Sequence, residues 1–200
     1  QGDHVLMADC VYGPARNFAT KFLPRFGVTT TFFDPAVGAG IADLIQDNTK
    51  VVYLEAPGSL TFEMQDIPAI GNAAHARGCI VITDNAWATG LFFKPFEHGC
   101  DISVHAATKY IVGHSDAMMG AITCSEATYG PIRDVWSQLG VAAAPDDVYL
   151  ATRGVRTMQV RLEQHQKNAM EVASWLQARP EVARVLYPAL GNDPGHTIWK

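Results

Sequence analysis

Short runs of β-branched and aliphatic residues alternate along the chain with segments of helical spacing, and this alternation constrains the fold more than any other feature. The runs cover residues 5–8, 28–33, 50–55, 79–84, 102–107 and 117–124. Between them the spacing predicts helices over 15–23, 41–46, 67–77 and 127–139, then a long one over 147–178 interrupted near Gly154. In that long helix Met158, Leu162, Ala169, Val172 and Leu176 share one stripe, and Pro180 ends it. Strands that alternate with helices build an α/β fold, a mostly parallel sheet flanked by helices. The run Cys79-Ile80-Val81-Ile82-Thr83 is almost continuously apolar, as a central strand covered on both faces requires. Residues 1–180 read as one large domain, and the run 182–187 as the opening of a small C-terminal domain spanning 181–200.

Composition narrows the classes. A length of 200 residues leaves room for a sizeable core, and a net charge of -5 gives no electrostatic case for nucleic acid or an anionic membrane surface. No apolar stretch approaches membrane-spanning length. Cys10, Cys79, Cys100 and Cys124 form no C-x-x-C pair and lie in or beside apolar runs. They read as reduced thiols of a cytoplasmic protein, not as disulfides or metal ligands, and no metal site is expected. The chain starts at Gln1 without a methionine, beside a strand, which points to a truncated or processed start.

Two residues carry the chemistry. Lys109 follows the run 102–107, where a charged amine is costly to bury unless it has a task. Desolvation lowers the pKa of such a lysine and makes it a nucleophile able to form a Schiff base with a carbonyl compound. The commonest such compound is pyridoxal 5′-phosphate, whose ring nitrogen also needs an acidic partner. Asp84 supplies one: it ends the run 79–84, and both residues then sit at carboxyl ends of parallel strands, where open α/β sheets bind ligands.

The stretch 101–115, with Ala106-Ala107-Thr108-Lys109-Tyr110-Ile111 and Gly113-His114-Ser115 at its heart, resembles the cofactor-attachment signature of the Cys/Met-metabolism enzymes, which are pyridoxal-phosphate enzymes of fold type I. Tyr12-Gly13, Glu55-Ala56-Pro57-Gly58-Ser59, Asp84-Asn85 and Arg153-Gly154-Val155-Arg156-Thr157-Met158 agree in order. The resemblance implies the large domain of that fold, with its seven-stranded type of sheet. It implies that Lys109 holds the cofactor aldehyde and moves protons, and that Asp84 holds the ring nitrogen. Tyr12 stacks on the ring and takes part in proton transfer, Thr108 donates to the phosphate, and Ser59 stands where many relatives place an asparagine near the phenolic oxygen. Ala106 departs from the family, since many relatives have a phosphate-binding serine there.

Pro57-Gly58-Ser59 looks more like bacterial cystathionine β-lyases than like γ-lyases and synthases, which read Pro-Thr-Asn. The implied reaction is β-elimination of a small sulfur-containing amino acid, cystathionine, to homocysteine, pyruvate and ammonia. The alternatives are a γ-lyase, γ-synthase or methionine γ-lyase, or a non-catalytic binding module. Family enzymes are longer than this chain and assemble as dimers of dimers. Their phosphate-binding glycine loop and their substrate-carboxylate arginine have no match here, so the chain reads as the central piece of such an enzyme. Arg153 and Arg156 are expected to be structural, His105 and His114 to be satisfied polar residues, and Asn85, Trp87 and Trp136 to be packing residues.

Overall fold

Strand direction follows from the connections. The computed structural model describes residues 1–200, with strands β1 (His4–Ala8), β2 (Thr29–Phe33), β3 (Thr49–Glu55), β4 (Ile80–Asp84), β5 (Ile102–Ala106) and β6 (Gly120–Cys124). They form one sheet in the order β2-β1-β3-β4-β5-β6. Helical crossovers join the first five, which run parallel; β5 passes to β6 through a helix-free loop, and that pair is antiparallel. The sheet has six strands, one in each of the six runs expected from the sequence, and residues 182–187 join no ladder. Their last member, Tyr187, instead packs its ring on Trp87 and Trp199, with Trp87 edge-on to Trp199 at 5.2 Å.

The helices are α1 (Gly13–Asn17), α2 (Ile67–His75), α3 (Thr89–Phe92), α4 (Glu126–Leu139), α5 (Pro145–Val155), α6 (Met158–Gln177) and α7 (His196–Trp199). Helix α2 starts where Asp66 Oδ1 accepts the Ala69 N–H at 3.0 Å, with a proline in the first turn. Its buried Ile67, Ile70 and Ala74 pack on Leu6, Val52, Leu54 and Val81 of the central strands. Each such aliphatic side chain contributes about 2 kcal/mol by leaving water. All four cysteines are free, and three of them are buried. No helix is long and apolar enough to cross a membrane.

Three helical expectations are corrected. The segment 15–23 is α1 followed by a wider turn over Phe18–Phe22 and a tight one over Leu23–Phe26, where Pro24 cannot continue a regular ladder. The helical signal at 41–46 shifts to tight turns over Pro35–Asp43, kinked at Gly38. The long helix divides close to Gly154 as expected, after Arg156, where Thr157 leaves helical geometry, and only its start is corrected, to Pro145, two residues early.

Candidate active site

The carboxyl edge of the parallel strands gathers four candidate residues. Strand β1 leads through Cys10 to Tyr12, β3 ends at Glu55, β4 ends at Asp84, and β5 turns into Lys109. Glu55 and Asp84 are register partners across β3 and β4, so their side chains leave the same face of the sheet. The Lys109 amine stands 5.4 Å from the centroid of the Tyr12 ring, which is half-exposed. No carboxylate forms an ion pair with this amine.

Asp84 shapes its own turn: Oδ1 accepts the Ala86 N–H at 2.8 Å. One carboxylate oxygen is thereby fixed and the other is left for a partner. Lys109 sits in the turn after β5, its N–H donating to the Ala106 carbonyl at 3.0 Å and its carbonyl accepting the Gly113 N–H at 2.7 Å. Its side chain is exposed, so the desolvation expected from the sequence is not produced by these residues. An open depression of about 820 Å³, bordered by Thr108, Ser115, Asp116, Met118 and Arg161, adjoins the amine.

Thr108 is tied to the main chain of Met119. Its N–H donates to the Met119 carbonyl at 3.0 Å, and its Oγ1 accepts the Met119 N–H at 2.9 Å while donating back to the same carbonyl at 3.3 Å. Both donors reach the Met119 carbonyl, and Ala106 offers no side-chain donor. The acidic residue that opens the signature, Asp101, lies at the far end of β5, where Oδ2 accepts the Val81 N–H at 2.8 Å and pairs with His75 at 2.9 Å. Arg153 and Arg156 are exposed and unpaired.

Ser59 lies on the Tyr12 side of the edge, its N–H donating to the Cys10 carbonyl at 2.7 Å. The residue before it explains the Pro-Gly-Ser segment physically. A Cβ on Gly58 would stand 2.6 Å from both Cβ and Sγ of buried Cys10. Glycine is therefore demanded by this close approach, independently of the chemistry at the site. Gly58→Thr is expected to destabilise the protein by about 2 kcal/mol, and Cys10→Gly in the same chain to restore part of the loss. Unchanged chemical denaturation of the single variant would contradict the packing argument.

Sequence reasoning passed over Glu55. It ends an apolar run just as Asp84 does, and that was its signal. Its Oε2 accepts the Tyr12 N–H at 2.7 Å. Burial pushes its carboxyl up to about 7; the Tyr12 N–H opposes this, Asp84 adds to it, and the Lys109 charge opposes it. Burial, with Asp84 and then Glu55, also raises the Tyr53 phenol. His105 is pulled down by burial against the pull of Asp84. It is only half satisfied: Nε2 contacts Ser103 Oγ at 3.1 Å, and buried Nδ1 has no partner. His114 is satisfied, donating from Nδ1 to the Val112 carbonyl at 2.9 Å. Buried Asn85 donates to the Phe93 carbonyl, Trp87 packs as expected, and Trp136 is half-exposed on α4.

Pyridoxal 5′-phosphate fits two ends of this arrangement. An amine without an acid partner suits its aldehyde, and a carboxylate with one oxygen free suits its ring nitrogen. The half-exposed Tyr12 ring beside the amine offers a stacking surface. Comparison with known proteins agrees. The family model described as Cys/Met metabolism PLP-dependent enzyme matches residues 1–200. A putative cystathionine β-lyase of Rhizobium johnstonii is 50% identical over 199 residues, covering 100% of this chain and 50% of that protein. The cystathionine β-lyase MetC of Escherichia coli is 46% identical over 202 residues, covering 100% of this chain and 51% of its own. A cystathionine γ-lyase from Lactobacillus plantarum, solved in complex with L-serine, superposes with a TM-score of 0.95 at 32% identity, over 99% of this chain and 52% of that one. The chain spans about half the length of the curated relatives it matches. With strand order, site geometry and sequence in agreement, the chain belongs to the Cys/Met-metabolism family of pyridoxal-phosphate-dependent enzymes.

Proposed function

We propose that the full-length protein is a carbon–sulfur lyase that β-eliminates cystathionine to homocysteine, pyruvate and ammonia. The observation that carries this reading is the convergence of the Lys109 amine, the Tyr12 ring and the Asp84 carboxylate on one sheet edge. The preference for β-elimination rests on the β-lyase relatives, since Gly58 answers to Cys10. Bound here, pyridoxal 5′-phosphate supplies an aldehyde for the amine and an electron sink beside the substrate Cα. With the substrate amine taking its place on the aldehyde, Lys109 would be free to remove the Cα proton as general base. The free Asp84 oxygen would hold a proton at the ring nitrogen. The Cβ–S bond breaks with its electron pair on sulfur, which takes a proton from the Tyr12 phenol or from Lys109. Water hydrolyses the remaining enamine to pyruvate and ammonia.

The reading includes a cytoplasmic dimer of dimers, with residues 1–180 as the cofactor domain and 181–200 opening a smaller one. Exposed Tyr129, Val135, Trp136 and Leu139 on α4 give it apolar surface for self-association. To test the reading, the full-length protein is reduced with borohydride and mapped, then supplied with cystathionine. A phosphopyridoxyl mass on Lys109 and pyruvate as keto acid are expected. A label on another lysine refutes the site, and 2-oxobutyrate as main product favours the γ-elimination suggested by the Lactobacillus plantarum neighbour.

A further inference from the structure

Tyr12 needs something to hold it. It precedes α1 without a side-chain cap, half of its ring is in solvent, and Pro14 supplies no N–H to fasten the first turn. What fixes its main chain from outside is Glu55, a residue 43 positions away in sequence, whose Oε2 accepts the Tyr12 N–H. Glu55 is itself anchored. Its carbonyl accepts from Nε2 of fully buried Gln65, and the same nitrogen reaches Cys10 Sγ at 3.2 Å. A chain of contacts thus runs from the buried amide through the end of β3 to the ring facing the Lys109 amine.

We propose that Glu55 is a positioning residue of this site: its side chain fixes the Tyr12 main chain and so aims the Tyr12 ring at Lys109. The proposal builds on the reading of Lys109 as the cofactor amine and Tyr12 as its stacking ring. Glu55 acts through Tyr12 and need not touch the substrate. Its strength as an acceptor follows its charge, because a carboxylate holds an N–H more firmly than a carboxylic acid does. The groups around it are the Tyr12 N–H, the Cys10 thiol with Glu63 beside it, the Tyr53 phenol, the Asp84 carboxylate and the Lys109 amine. Burial within this set puts its ionisation at about 7. As pH rises through that value Glu55 becomes charged and its grip on Tyr12 tightens; as pH falls the grip loosens.

Amide hydrogen exchange at Tyr12, read as a protection factor in the full-length protein without cofactor, tests this directly. Glu55→Gln keeps an acceptor oxygen and removes the charge, whereas Glu55→Met keeps the length and removes the acceptor. Wild-type protection is expected to rise between about pH 6 and about pH 8. Glu55→Met should lower it by about tenfold at the higher pH, and Glu55→Gln should stay within about threefold without the pH step. In the loaded enzyme, Glu55→Met should alter the visible circular dichroism of the cofactor and lower kcat with little change in KM, and Glu55→Gln should recover most of both. Wild-type protection that shows no pH step overturns the proposal without any variant. So does wild-type protection in Glu55→Met, or a Gln variant as impaired as the Met variant. A wild-type protein that takes up no cofactor refutes the functional reading instead, and the exchange measurements still decide the role of Glu55.

Discussion

Gly154→Ala is expected to destabilise the protein by about 3 kcal/mol or more, lowering its thermal midpoint by about 10 °C. Gly154 is buried in α5 where that helix meets the segment after Lys109. A Cβ there would stand 2.2 Å from the Ile111 carbonyl oxygen and 2.3 Å from that of Val112. Both obstacles are main-chain atoms, so no rotamer change relieves them. Either α5, carrying its buried Ala151, lifts off Val112 and Ala117, or the segment leading back to Lys109 is pushed aside. The first loses packing, and the second moves the amine. Melting of the purified variant, followed by circular dichroism, gives the answer; a wild-type midpoint would mean that the contact between helix and loop is softer than the geometry states.

Asp84→Asn carries the larger functional effect. Asn retains an Oδ1 to accept the Ala86 N–H, so the turn after β4 survives and the substitution isolates the charge. On the proposed reading it is the Asp84 carboxylate that keeps a proton at the ring nitrogen of the cofactor, and an amide carries no charge to do so. Loss of such a preorganised charge contact costs about 3 to 4 kcal/mol of barrier, roughly a hundred- to a thousandfold in kcat. The variant should melt like the wild type and still take a borohydride label at Lys109. Normal turnover in a folded, labelled Asp84→Asn protein would remove Asp84 from the assignment.

The parallel strands could be read because their chemistry is monotonous. Runs such as Ile80-Val81-Ile82 are short and β-branched, with Val81 fully buried although Ile80 is exposed, and leave little room for another assignment. Asp84 and Lys109 could be placed at one edge because strand ends in such sheets share a side. Contacts between distant segments could not be read at all. The Cys10 side chain against Gly58, α5 against the Ile111 carbonyl and Glu55 on the Tyr12 N–H span 48, 43 and 43 positions, and no local period encodes them. The burial argument for Lys109 failed for a related reason: the residue lies beyond the strand, in a turn open to solvent. The tie between Thr108 and Met119 was equally illegible, since the sequence placed Met119 inside a strand that begins only at Gly120.

That closure determines how Lys109 can move. The segment between β5 and β6 is clasped at its neck, with Thr108 fastened to Met119 by main chain and hydroxyl together. Lys109 is the first residue inside the clasp, so its Cα is a fixed bearing and its four-carbon stem the only lever. Rotations of that stem take picoseconds to nanoseconds, whereas loop rearrangements take nanoseconds to microseconds. An amine mounted this way can change its bonding partner by swinging alone, with no backbone entropy to recover between one position and the next.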